Sequence, residues 1–183
     1  QSLSTYRKRI VAFLCGVLMA LLVAGTAFAA DRLTAPEMDA LFAALADPAN
    51  GDWQATQAKI LDEWSKSGSP AFDLLLRRGR EAMATGDLDA AIADLTALTD
   101  QAPDFAEGWN ARATAYYLRG LYGPSIADIE HVLTLEPRHF GAISGLGLIL
   151  QETNRKHDAM RAFQQSLSIN PHQDGMRKAL DAL

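Results

Sequence analysis

Pro103, Pro137 and Pro171 stand 34 residues apart, and the residues between them recur in the same order. A period of that length marks a two-helix brick that cannot bury its apolar face alone and must stack on copies of itself. Repetition therefore constrains the fold before any single motif is read.

Superposing the three units on these prolines gives the columns that a stacked helical hairpin requires. In the first helix Leu75, Trp109 and Ile143 share a column; Gly79, Ala113 and Gly147 lie four residues on, and Ala82, Tyr116 and Leu150 three beyond. Large, small, large at that spacing is one helical face, with the small residue letting two helix backbones approach. Gly86, Gly120 and Asn154 follow, residues that tolerate the left-handed conformation ending a helix. The second helix carries Ala91, Ser125 and Ala159, then Leu95, Ile129 and Phe163, and Leu133 and Leu167 continue the stripe of the second and third units. Proline closes each unit because it cannot extend a helix.

These columns resemble the tetratricopeptide repeat family, whose motif places Trp, Leu-Gly, Tyr, Ala, Phe, Ala and Pro at set offsets. The middle unit carries Trp109, Tyr116 and Pro137 in register, and the likeness runs from about Phe72 to the C-terminus. It departs at Arg78 and Arg112, where the motif has Leu, and at Ser125 and Ser166, where it has Ala. The resemblance implies an all-α fold: an α-solenoid of three clear repeats, 72–105, 106–139 and 140–173, between a degenerate N-terminal helical hairpin over 31–71 and a capping helix over 174–183.

Residues 1–30 are a different object. Arg7, Lys8 and Arg9 precede an uncharged stretch from Ile10 to Ala30 that ends in Ala27-Phe28-Ala29, the layout of a secretory signal peptide cut after Ala29 or Ala30. At 1.5 Å per residue the stretch would also reach about 31 Å, so a retained membrane anchor is the rival reading. The basic flank stays inside in either case and residues 31–183 are exported. Gln1 is not read as the natural start. Cys15 is the only cysteine and follows the large Leu14, which argues against a lipoprotein; the exported part has no thiol for a disulfide, a nucleophile or a metal. Removing the leader leaves 14 Lys and Arg against 22 Asp and Glu, a net charge of −8, and no basic face for nucleic acid.

Over 31–71, Met38, Leu41, Phe42 and Leu45 form one apolar stripe. Trp53, Ile60, Leu61 and Trp64 form another after the break at Asp47-Pro48-Ala49-Asn50-Gly51. Leu61 and Trp64 lie 34 residues before Leu95 and Leu98, which suggests a worn fourth repeat, although Ala58 and Pro70 fit one residue out of register. A non-repeat hairpin covering the same end of the core is the alternative; either would cap the first repeat. Met176, Leu180 and Leu183 predict a solvated capping helix at the other end.

Catalytic chemistry finds little purchase. His131, His139, His157 and His172 make no pair at metal-ligand helical spacing, and His139 and His172, in equivalent loops just past a repeat proline, read as loop decoration. Ser144-Gly145-Leu146-Gly147 falls inside a repeat helix, so it is neither a nucleophile elbow nor, with Gly141, a phosphate loop. Asp94 and Asp128 share a repeat position and read as a solvated stripe. The expectation is a protein that is not an enzyme and takes no cofactor or metal.

A surface remains. In tetratricopeptide repeats the first helices line a concave groove, and the resemblance carries its positions onto Asp73, Leu76, Arg80 and Met83, with Arg77 at the rim. It carries them next onto Glu107, Asn110, Thr114 and Tyr117, then onto Gly141, Ser144, Leu148 and Gln151. Arg80 either meets a ligand carboxylate or pairs with an acid of the 31–71 hairpin, and Tyr117 packs on the next unit or on a guest. Repeats that clamp the C-terminal carboxylate of cytosolic heat-shock chaperones have Lys and Asn where this chain has Leu76 and Arg80, and Asn where it has Ala111, so that clamp is absent. The resemblance implies a periplasmic scaffold of envelope assembly that binds a peptide segment of another envelope protein. The alternative is an inner-membrane-anchored assembly factor facing the periplasm. Oligomeric state is left open.

Overall fold

Among the residues described by the computed structural model, 32–183, nine helices and no strand follow one another, and Thr34–Leu183 form one compact unit. The leader expected over 1–30, Cys15 included, lies outside the described residues. The helices are α1 (Ala35–Ala46), α2 (Trp53–Trp64), α3 (Pro70–Ala84), α4 (Leu88–Gln101), α5 (Ala106–Leu118), α6 (Tyr122–Leu135), α7 (Phe140–Glu152), α8 (Lys156–Ile169) and α9 (Asp174–Asp181). No helix among them is long and apolar enough to cross a membrane.

The hairpins α3–α4, α5–α6 and α7–α8 are the three repeats, and α3, α5 and α7 lie side by side along one face. Each intra-repeat turn is built alike. Gly86, Gly120 and Asn154 sit at φ 81°, 76° and 59°, and the amide after each bonds back across the helix end: Asp87 to Ala82, Leu121 to Tyr116 and Arg155 to Leu150, at 2.8–2.9 Å. That 6→1 bond satisfies a carbonyl the helix would otherwise leave open. The small column is under real steric demand. A Cβ on Gly79 would meet Leu95 at 2.5 Å, and one on Gly147 would meet Phe163 at 2.5 Å.

The departures from the family motif have physical counterparts. Arg78, standing for Leu, pairs with Asp94 at 3.2 Å; Arg112 holds Asp128 through two bonds of 2.8 Å and donates to Thr99 Oγ1 at 2.8 Å. Asp128 is buried, which corrects its reading as part of a solvated stripe. The third unit has Leu146 and Ala162 at these positions, an apolar solution to the same gap. Ser125 and Ser166 each return a hydroxyl to a first-helix carbonyl, that of Ala113 at 2.7 Å and of Phe140 at 2.9 Å, so neither buried oxygen is orphaned. At the C-terminal end α9 lays Met176, Ala179, Leu180 and Leu183 against Ile143, Leu150 and Phe163.

The N-terminal hairpin departs from the expected cap. Its apolar face, Phe42, Leu45, Ile60 and Trp64, packs on Phe140 and Ile169 of the third repeat instead of stacking on α3. A one-residue slip in the buried face goes with this. A residue turns a helix by about 100°, so Ile60 is buried while Leu61, the residue in repeat phase, is 40% exposed. The hairpin thereby straps the edge where the inter-repeat loops lie. Ser65 accepts from Arg80 at 3.2 Å, Asp39 holds Arg138 at 2.7 Å, and Gln57 Oε1 accepts from Asn170 at 2.6 Å. Trp53 stacks on His172 and Trp64 on His139, centroids 4.9 and 4.1 Å apart.

Candidate partner-binding groove

The face made by α3, α5 and α7 is divided by an ionic lock. Arg80 Nη2 lies 2.5 Å from Glu107 Oε1, Asn110 donates to the same carboxylate at 3.2–3.3 Å, and His139 Nε2 lies 3.0 Å from Oε2. Arg80 thus pairs with an acid of the second repeat, where the sequence reading offered a ligand or an acid of the N-terminal hairpin. His139, read as loop decoration, is 1% exposed and caps α7: its Nδ1 accepts the Ala142 amide at 3.1 Å. An amide N–H can only donate, so the proton sits on Nε2 and points at Glu107. Burial pushes the Glu107 carboxyl up, but the His139 hydrogen bond and the Arg80 charge outweigh it and hold it below the usual carboxylate range.

On one side of the lock Asp73, Leu76, Arg77 and Arg80 border an open depression with Ser65, Glu81 and Ala84. Asp73 accepts from the Ser67 amide and hydroxyl at 2.8 and 2.5 Å, which ties the hairpin linker to α3. Leu76 is a core residue and Met83 packs beside it, so neither offers much to a guest.

On the other side lies a cavity of about 270 Å³ between α5 and α7. It is lined by Asn110, Thr114, Tyr117, Ser144 and Leu148 of the expected set, by Gly141, and by Ala113, Leu118, Ser125, Ile129, Ala142, Gly145 and Ile149. Small residues make the depth: Ala113, Gly141, Ala142 and Gly145 leave space that larger side chains would fill. The volume falls below the roughly 300–1,000 Å³ of small-molecule sites, which suits an inserted side chain. Gln151 is not among the lining residues. Tyr117, one of the lining residues, donates to Glu152 Oε1 at 2.5 Å and Tyr122 donates to Oε2, so the Tyr117 hydroxyl is pushed up to about 12 by the Glu152 bond and the carboxylate is held low by both phenols.

Sequence reasoning gave no role to Glu152, Tyr122 or Leu118, and did not bring His139 and Trp64 together. Only the Arg78–Asp94 and Arg112–Asp128 pairs left a readable signal, since both departures recur together one repeat apart. No group of three or more His, Cys, Asp or Glu among the described residues is placed to hold a metal.

Repeated hairpins with a groove along their first helices define a helical-repeat solenoid. The sequence profile of the tetratricopeptide repeat family matches residues 142–173, the third unit. A TPR repeat-containing protein of Rhizobium etli is 37% identical over 137 residues, 73% of this chain and 66% of that protein. The Sgt2 TPR domain from Aspergillus fumigatus superposes with a TM-score of 0.59 at 26% identity, over 62% of this chain and 77% of the other. The first TPR of Spaghetti (RPAP3), in complex with HSP90 peptide SRMEEVD, gives a TM-score of 0.60 at 20% identity, over 62% and 90%; at that identity the likeness speaks for the fold alone. These findings support the tetratricopeptide repeat family for this chain, which spans 66% of the Rhizobium relative's length.

Proposed function

We propose that this protein is a non-catalytic adaptor that binds a peptide segment of a partner protein in the groove between α5 and α7. The observation that carries the reading is the apolar cavity of about 270 Å³ on that face, floored by small residues and bordered by hydrogen-bonding Asn110 and Thr114. An extended or helical segment gains affinity there by inserting one apolar side chain and bonding its backbone to the rim. The family likeness supports the same reading, since tetratricopeptide repeats generally mediate protein–protein contact.

The location we propose is the bacterial periplasm, with the leader cleaved and another envelope protein as partner; the basic, apolar, small-residue order of residues 7–30 motivates this. The second reading, a membrane-tethered assembly factor, rests on the bilayer-length uncharged stretch from Ile10 to Ala30. Intact mass of the chain purified from its host separates the two, by loss or retention of the leader.

Thr114→Trp tests the groove. Thr114 is exposed and lines the cavity, so the indole should fill the guest's space with little change in melting temperature. Loss of peptide binding at unchanged stability supports the proposal, and binding that survives moves the site elsewhere.

A further inference from the structure

The charge next to Tyr117, a lining residue of the cavity, is one-sided. Glu152 is exposed and its hydrogen-bond donors, Tyr117 and Tyr122, are neutral phenols, so they orient the carboxylate without cancelling it. Arg80, Arg112 and Arg119 are each paired with an acid, Glu107, Asp128 and Asp89, and no salt bridge reaches Glu152 among the described residues. The two phenol rings stack at 5.9 Å beside the carboxylate, and aromatic faces attract cations. Leu118, 53% exposed, extends the apolar wall to the rim.

We infer that the groove selects a basic partner segment, one that inserts an apolar side chain between Thr114 and Leu148 and sets a neighbouring Lys or Arg against Glu152 and its tyrosine pair. This rests on the groove proposed above. It is the reverse of the preference expected for an acidic peptide such as SRMEEVD, the ligand of the Spaghetti domain. A carboxylate beside Glu152 would meet an uncompensated like charge, whereas an ammonium or guanidinium would gain a charge-assisted hydrogen bond and shelter its methylenes on the rings.

The test pans a random-peptide display library on the purified chain and on its Thr114→Trp variant. Selected sequences are then remade as matched synthetic peptides with Lys or Glu beside the apolar anchor. Peptides lost on Thr114→Trp should carry an apolar residue next to Lys or Arg. Glu152→Gln should shrink the Lys-over-Glu preference by about three- to fivefold, the scale of one exposed ion pair, while the distant Asp104→Asn leaves it unchanged. Groove peptides that are acidic or indifferent to charge, or a preference untouched by Glu152→Gln, overturn this inference and leave the groove standing. Should no peptide be recovered that Thr114→Trp excludes, the inference and the groove fall together.

Discussion

Glu107 is the residue on which the most structure converges. Arg80, Asn110 and His139 reach it from α3, α5 and the start of α7, and Trp64 covers His139 from the strap. Its carboxyl is lowered in the folded state from an ordinary value of 4.5. A depressed acid stabilises the fold fully above its unfolded value, and that contribution is lost as pH falls through the lower folded one. Melting temperature should therefore be insensitive to this group from neutrality down to about pH 4.5 and decline below. Glu107→Gln should cost about 1–2 kcal/mol at neutral pH and flatten the acid limb, which thermal melts of both proteins across pH 3–7 would measure. An equally steep acid limb in the variant would assign it to other carboxylates.

At the scale of the helices, the informative contrast lies between repeats that solve one packing problem differently. The second repeat joins α5 to α6 through Arg112 and Asp128, nearly buried; the third joins α7 to α8 through Leu146 and Ala162. Removing one member of a buried pair strands the other in a low-dielectric contact, whereas replacing both with apolar residues of fitting volume is often neutral. Asp128→Ala should destabilise by about 3 kcal/mol, and Arg112→Leu combined with Asp128→Ala should recover most of it. Urea midpoints for the single and double variants decide this. If the double variant is as weak as the single one, the pair contributes net stability of its own.

Across the whole molecule, the strap couples ends that the repeats alone would leave independent. A solenoid's stability is close to a sum over neighbours, but Ser65 touches the first repeat while Gln57 and Trp53 hold residues at the end of the third. Trp64 is its centre, stacked on His139 and tilted against Phe140, with a buried Nε1 that has no partner. Trp64→Ala should cost about 3 kcal/mol and open the hairpin to protease before the repeats. Trp64→Phe keeps an aromatic ring and removes the unpaired donor, whose burial costs about 1–3 kcal/mol, so it should be neutral or stabilising. Limited proteolysis with denaturant melts reads both. Cleavage of the Ala variant beginning within the repeats would count against a separately opening strap.

Much of the fold was legible because repeats write their constraints at short range and three times over. The columns through Gly79, Ala113 and Gly147, the turns at Gly86, Gly120 and Asn154, and the capping face at Met176 and Leu180 each follow from helical period and backbone sterics. The groove was legible only as positions: Thr114, Tyr117 and Leu148 line the cavity, while Leu76 and Met83 sink into the core and Arg80 is taken by Glu107. Where α1–α2 docks was decided by tertiary structure, since a one-residue phase shift turns Ile60 inward and its partners, Phe140 and Ile169, lie far along the chain. Glu152 likewise gains its role only when α5, α6 and α7 bring two phenols to it across 35 and 30 residues. Local periodicity determined the bricks; contacts between distant surfaces, which no short-range pattern encodes, decided how the strap closes and what charge the groove presents.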